Sequence, residues 1–351
     1  MSLAAALKTG DVTQLPGRRQ EGWRWTDLRG ALREIPPTSP PGDVAGLPAG
    51  PFADLAQDTV LVLNGRLAAG ADALTVAPGR TEPLALRFVS TASHSAHHAA
   101  WSLTLAPGAQ LVLLESYEGL GAGYVADIAL DITLGEGARL ERIVLVDEAA
   151  DAIAVSTTVV TLAPKASFEQ TVLTCGAKRQ RHETQVRHPG GEAALRLDGI
   201  YLLDGAVQAD LTTRVTHAGV DGTTLQLTKG AVRGQARAVF QGQIVVAEGA
   251  DRTDARMGHH ALILSERAEV DAKPELEIYA DDVSCAHGNT VGALDEDALF
   301  YALQRGIPLD EARAMLTQAF VGEVTDRIAH DGARAVAQAW VAARLGGHHD
   351  L

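Results

Sequence analysis

The sequence predicts a mainly β protein, a solenoid of the β-helix kind flanked by helical regions at both ends. Three observations carry this. Across residues 83–292, short apolar runs (84–89, 110–114, 128–134, 143–146) alternate with glycine-containing turns. Within that stretch, Leu105-Ala-Pro-Gly-Ala-Gln-Leu111 is echoed by Leu134-Gly-Glu-Gly-Ala-Arg-Leu140 and by Leu162-Ala-Pro-Lys-Ala-Ser-Phe168, at spacings of 29 and 28 residues. A looser fourth copy is His188-Pro-Gly-Gly-Glu-Ala-Ala-Leu195. After Leu294 the apolar period changes from two to three and four residues. A period of about 20–50 residues signals stacked units, each unable to bury its own inward face. The rival reading is a large antiparallel sandwich whose turns resemble one another by chance.

The elements follow in order. Residues 1–80 read as an N-terminal helical or irregular cap, with Trp23 and Trp25 packing it. The Pro/Gly-rich stretch 36–51 reads as a linker, because proline removes backbone donors and bars helix. Residues 81–292 form the β-helix core. Hydrophobic residues make up 46% of the chain but aromatics only 4%, beside 35 glycines, which favours small side chains in tight turns. Residues 293–351 form a C-terminal helical domain. Leu309, Ala312, Leu316, Phe320, Val324 and Ile328 make one stripe, with Asp310 and Glu311 suited to its first turn. Asp331-Gly332 is expected to break that helix before a second one at 333–345. Such helices could cap a solenoid end against open strand pairing, or dock a partner through the stripe.

Bulk properties exclude several classes. The formal charge of −14 argues against nucleic-acid binding. The basic run Lys178, Arg179 and Arg181 reads as a solvated turn. Two cysteines, Cys175 and Cys285, are too few for a secreted disulfide framework. No stretch reaches the length of about 18 apolar residues that a membrane helix needs, and no signal peptide is visible, so a cytoplasmic location is expected.

Chemistry concentrates near the end of the strand region. Cys285 and His287 stand two apart, on one face of a strand, with Cα atoms about 6.5–7 Å apart. Thiolate and imidazole together can ligate a soft metal or a cluster. Clusters and structural zinc take four ligands, so this is at most half a site unless a second chain completes it. The bland alternative is a buried small thiol beside a turn histidine. Asp281 and Asp282 suggest a carboxylate pair, as in β-helical carbohydrate-active enzymes, but neighbours on a strand face opposite ways. His94, His97 and His98 form another cluster, with His94 and His98 expected on one face; His259-His260 and the terminal His348-His349 are weaker candidates. There is no phosphate-binding loop, nucleophile elbow or zinc helix motif, so no complete enzyme is expected.

One family fits these residues. Lys273-Pro-Glu-Leu-Glu-Ile-Tyr-Ala-Asp-Asp-Val283, Cys285-Ala-His-Gly288, Leu294-Asp-Glu-Asp-Ala-Leu-Phe-Tyr301, Gln304-Arg-Gly-Ile307 and Ala319-Phe320 resemble the SufB/SufD family of iron–sulfur cluster assembly scaffolds. Trp23-Arg-Trp-Thr-Asp-Leu28 and the Lys273–Glu277 stretch resemble SufD-type rather than SufB-type members. The resemblance implies a right-handed parallel β-helix and pairing with a SufB-like paralogue through the β-helix ends. It also implies docking of a SufC-like ABC-type ATPase on the C-terminal helices, here at Leu309, Leu316, Phe320 and Val324. His287, with Cys285 beside it, then falls at the cluster and subunit interface. No cofactor would be stably bound by the chain alone: a transient iron–sulfur cluster would be shared with the partner, FAD is admitted in the complex, and the isolated chain could form a homodimer. The alternatives are a carbohydrate-active β-helix and a purely structural spacer subunit.

Overall fold

The computed structural model describes residues 1–346; the His348-His349 pair lies outside them. The chain forms a parallel β-solenoid of about eight turns. From the strand Ala73–Val76 onward, successive strands alternate between an eight-stranded and a ten-stranded sheet, so each coil gives one strand to each. The sequence repeat is the coil. Leu105, Leu134 and Leu162 stack in register, as do Leu111, Leu140, Phe168 and Leu195. Thus even the looser fourth copy is a true rung.

The turn explains why the repeat is visible. Each copy places one residue in the left-handed region just before a small one: Gly108 and Gly137, then Lys165 and Glu192, with φ of 60–71°. Ala109, Ala138, Ala166 and Ala193 follow, all buried. A larger side chain there would enter the interior between coils. Glycine accepts the left-handed turn without strain.

The solenoid begins earlier than the boundary at residue 80. Strands Asp58–Leu63, Arg66–Ala69 and Ala73–Val76 already belong to it. Arg66–Ala69 pairs antiparallel with Asp58–Leu63 and closes the N-terminal end of the ten-stranded sheet. Ahead of it, helices α1 (Leu3–Thr9) and α2 (Leu28–Ala31) set Leu3, Ala6 and Leu28 on Ala96, Val125, Ile153 and Val155 of the eight-stranded sheet. The proline-rich linker crosses the molecule. Thr38 bridges to Ala96, while Phe52 is buried against the ten-stranded sheet on the other side.

Helices α3 (Glu296–Gln304), α4 (Leu309–Thr325) and α5 (Asp331–Leu345) follow the last strand. They do not cap the solenoid end. Val321, Val324, Ala337, Trp340 and Val341 of α4 and α5 pack along the outer face of the ten-stranded sheet, on Leu114, Ile143, Leu145, Ile200 and Leu262. Strands such as Arg139–Asp147 are apolar on both faces, so their outer face also needs cover. Asp331-Gly332 does not break a helix: it opens α5, with the His330 ring accepting the Ala333 N–H at 3.1 Å.

Candidate functional site

The last coil consists of the strands Glu269–Ile278 and Val283–Gly292, and each lies at the edge of its sheet. Each pairs on one side only, with Arg237–Val246 and Thr253–Ile263 respectively. Pro274 sits within the first of these strands, a place proline tolerates because an edge strand need not donate outward.

The interior columns of the solenoid run straight into this open end. Cys285 continues the column of Ala255, His287 that of Met257, and Asn289 that of His259. Ala255, Met257 and His259 are buried, because a further coil covers them. Cys285 is half-buried and His287 and Asn289 are exposed, because nothing does. The opposite wall is apolar, with Val270, Ala272 and Leu276 packed against the core. Cys285 and His287 therefore do share one face, as their spacing predicts. That face is the inside of the solenoid at its uncovered end.

The donor set is incomplete. Among the described residues no group of three His, Cys, Asp or Glu side chains could hold a metal ion. Burial raises the Cys285 thiol above its ordinary pKa, with Asp254 adding to the rise and the Ala255 backbone opposing it. Alone, the chain thus offers a protonated thiol and an imidazole. Thiolate is the ligating form, so a positive charge or a metal must arrive to draw the proton off.

Other candidates fall elsewhere. Cys175 packs on the outer face beneath α5, near Asp147 and Arg344, and burial pushes its thiol up to about 11. Asp281 and Asp282 are exposed on the bend between the last two strands, where Asp282 contributes its carbonyl to Arg252 N–H. His94 lies outside the strand Ala96–Leu105, so it shares no face with His98. His97 is buried between Ser39 and Ser90, and His98 pairs with Asp127 at 2.7 Å. His259 is buried in the interior, hydrogen-bonded to Tyr201 and Asn289.

Of the basic run, Lys178 is exposed on a bend and Arg179 is half-buried, but Arg181 is not solvated. Arg181 is fully buried, donating to Asp210 at 2.8 Å, to Glu183 at 2.8 Å and to the Gly22 carbonyl at 2.7 Å. Trp23 lies over its guanidinium at 4.4 Å. Asp210 also accepts the Thr26 hydroxyl at 2.5 Å. The Trp-Arg-Trp-Thr segment is therefore a plug over a buried charge, holding the N-terminal region to the eight-stranded sheet. Asp210 stands opposite Arg181 one coil on, so the repeat period itself was the signal that could have found it.

On the helices, Leu309 is exposed, and Leu316 and Phe320 are half-buried, with Lys229 Nζ 4.6 Å from the Phe320 ring centre. Val324 is completely buried against the solenoid and is not available to a partner. Phe300, Tyr301, Leu303 and Met315, which the helical stripe leaves out, are the large apolar residues exposed beside Leu309 on α3 and α4. No residue of α3 is buried.

Comparison with known proteins gives one answer throughout. Residues 88–320 match the family described as SUF system FeS cluster assembly, SufBD core domain. The chain is 33% identical over 268 residues to the iron-sulfur cluster assembly protein SufD of Escherichia coli (strain K12), covering 76% of this chain and 62% of that protein. It is 31% identical to the iron-sulfur cluster assembly SufBD family protein slr0076 of Synechocystis sp., over 63% of this chain and 51% of that one. It is 30% identical to protein ABCI7, chloroplastic, of Arabidopsis thaliana, over 63% and 47%. The matches thus span about half to three fifths of these relatives' length.

Proposed function

The chain belongs to the SufB/SufD family of iron–sulfur cluster assembly proteins as a SufD-like member, and from that premise we propose that it is a scaffold subunit whose open solenoid end is finished by a SufB-like paralogue. The observation that carries this is the uncovered continuation of the interior columns at Cys285 and His287. Two bare strand edges and an apolar wall invite a second coil stack to pair there. The nascent cluster is cargo at that junction. His287, with Cys285 beside it, supplies part of the ligand set and the partner supplies the rest.

The exposed side of α3 and α4 receives a SufC-like ABC ATPase. Leu309, Phe300, Tyr301 and Met315 form the apolar part of that surface, with the outer edges of Leu316 and Phe320. Val324 serves it from beneath, by fixing α4 to the solenoid. On this reading the chain is no enzyme by itself, holds no resident cofactor and works in the cytoplasm; a flavin, if one takes part, belongs to the assembled complex.

The test is His287→Ala in the co-purified complex, followed by anaerobic loading with iron and sulfide. The expected result is an intact complex with normal subunit ratios and little bound iron or sulfide. A variant complex that builds as much cluster as the parent would overturn the site and leave a spacer role, with the cluster held on the partner alone.

A further inference from the structure

We propose that the Asn289 carboxamide is a third member of this site, aimed from inside the solenoid so that its amide hydrogens donate to the sulfur of a cluster carried at His287. This rests on the cluster-scaffold reading above. Asn289 is two residues beyond His287 on the same inward face of Val283–Gly292.

The aim is set by a buried relay. Tyr201 Oη lies 2.9 Å from His259 Nε2, and His259 Nδ1 lies 2.6 Å from Asn289 Oδ1. The imidazole cannot turn. It is completely buried and stacked on Phe240 with centroids 4.5 Å apart and planes 9° from parallel. Burial lowers the His259 pKa to about 4, so the ring is neutral at physiological pH and carries one hydrogen. The atom facing Nδ1 is a carbonyl oxygen, which only accepts, so the hydrogen sits on Nδ1. Nε2 then accepts the Tyr201 hydroxyl, which burial keeps protonated.

The relay has one direction: Tyr201 to His259 to the Asn289 oxygen. It leaves Asn289 Nδ2 turned away from the ring. Among the described residues that nitrogen has no acceptor, and it stands at the uncovered end. Two oriented donors beside an imidazole suit a ligand rich in anionic sulfur. Hydrogen bonds to cluster sulfurs set cluster potential and stability, and orienting partners outside the ligand set are worth about 10–100-fold in metal affinity.

The experiment compares Asn289→Asp with the parent and with His287→Ala, each in the complex with the SufB-like partner. The carboxylate that Asn289→Asp introduces keeps an acceptor for His259 but removes both donors and adds a negative charge. The expected outcome is an intact complex whose cluster content falls on the order of ten-fold, with the remaining cluster at a lower reduction potential. Parental content and potential in Asn289→Asp, beside cluster loss in His287→Ala, would overturn this inference alone. Retention of cluster in His287→Ala would instead remove the underlying reading. A second measurement needs no variant: nitrogen-15 NMR of the histidines should show His259 as the Nδ1–H tautomer. The Nε2–H tautomer would mean that the amide is reversed and its donors point inward.

Discussion

His287 lies across the parallel ladder from Met257, one strand beyond the last covered rung of the solenoid interior. Met257 is 2% exposed, while His287 is open to solvent. The two occupy the same column and differ only in whether a coil follows. A solenoid normally covers its last rung with a capping element. Here the helices that follow the last strand turn aside to pack on the flank. The uncovered end is thus built into the path of the chain.

That end should be closed by charge. Val291 and Ile278 continue the columns of Ala261 and Val246, and both are exposed. Replacing both with lysine sets two ammonium groups where a partner coil must pair. Nothing packs over either residue in the single chain, so the fold should lose no more than about 0.5 kcal/mol per site. Light scattering should show the loss of association with the SufB-like partner, and a thermal melt an unchanged monomer. Unimpaired assembly would place the junction elsewhere.

Arg181 should be the costliest single truncation on the eight-stranded sheet. Arg181→Ala leaves Asp210 buried without its cation and removes the Trp23 stack. Losing one partner of a buried ion pair costs about 3–5 kcal/mol. Part of that loss should appear locally, as freeing of the segment that Trp23 and Thr26 pin down. Limited proteolysis should cut the variant within residues 10–35 well before the solenoid, whereas the parent should resist. Trp23→Ala, which keeps the ion pairs, should show the cleavage with a smaller loss of stability.

These residues show why some of the structure is legible in the sequence and some is not. The coils are legible because each turn demands a left-handed residue followed by a small buried one, and Ala109, Ala138, Ala166 and Ala193 repeat at the coil spacing. Cys285 and His287 are legible as a pair because strand geometry fixes their common face. The flank position of α4 and α5 is not legible. A run such as Ile143–Val146 is apolar on both faces, and one sequence does not say which element covers the outer one. Arg181 reads as solvated because its partner Asp210 is adjacent only across the coil. Asn289 is silent for the same reason, its meaning lying in His259 one coil back.

The two sides of α4 should separate stability from docking. Val324→Ala removes two buried methyl groups from the contact with the ten-stranded sheet. That should cost about 2 kcal/mol and lower the melting temperature. Met315→Ala acts on an exposed side chain and should leave the melt unchanged. Titration calorimetry with the SufC-like ATPase should show the reverse order, with weaker binding by Met315→Ala and near-parental binding by Val324→Ala below its melt. Parental affinity in both Met315→Ala and Phe300→Ala would move the ATPase to another face.

Acid should destabilise the solenoid well above the usual carboxylate range. Burial lowers the pKa of His97, His188 and His259 to about 4 and of His217 to about 3, and lowers that of His182 as well. His188 and His217 stack with centroids 4.2 Å apart, so a proton on either would face the other. In the unfolded chain all of them bind protons near pH 6.5. Their contribution is therefore complete above pH 6.5 and is lost as the pH falls toward 4. Each lost proton-binding difference is worth about 1.4 kcal/mol per pH unit. Glu148 and Asp198 act the other way: burial raises them to about 7 and about 6, so the folded state regains stability as they protonate. By pH 5 His97, His188, His217 and His259 remove about 2 kcal/mol each, while Glu148 and Asp198 together return about 4 kcal/mol. Glu141, raised by burial, and His98, raised by its bond to Asp127, side with the acids, and His182 sides with the histidines; the four histidines still outweigh Glu148 and Asp198, by about 4 kcal/mol, close to the lower end of a whole domain's stability of about 5–15 kcal/mol. The melting temperature should fall steeply between pH 6.5 and 5, and His217→Gln should reduce that slope by about one proton. A melting temperature that holds or rises across this interval would show that these rings are hydrated and the interior columns less tightly closed.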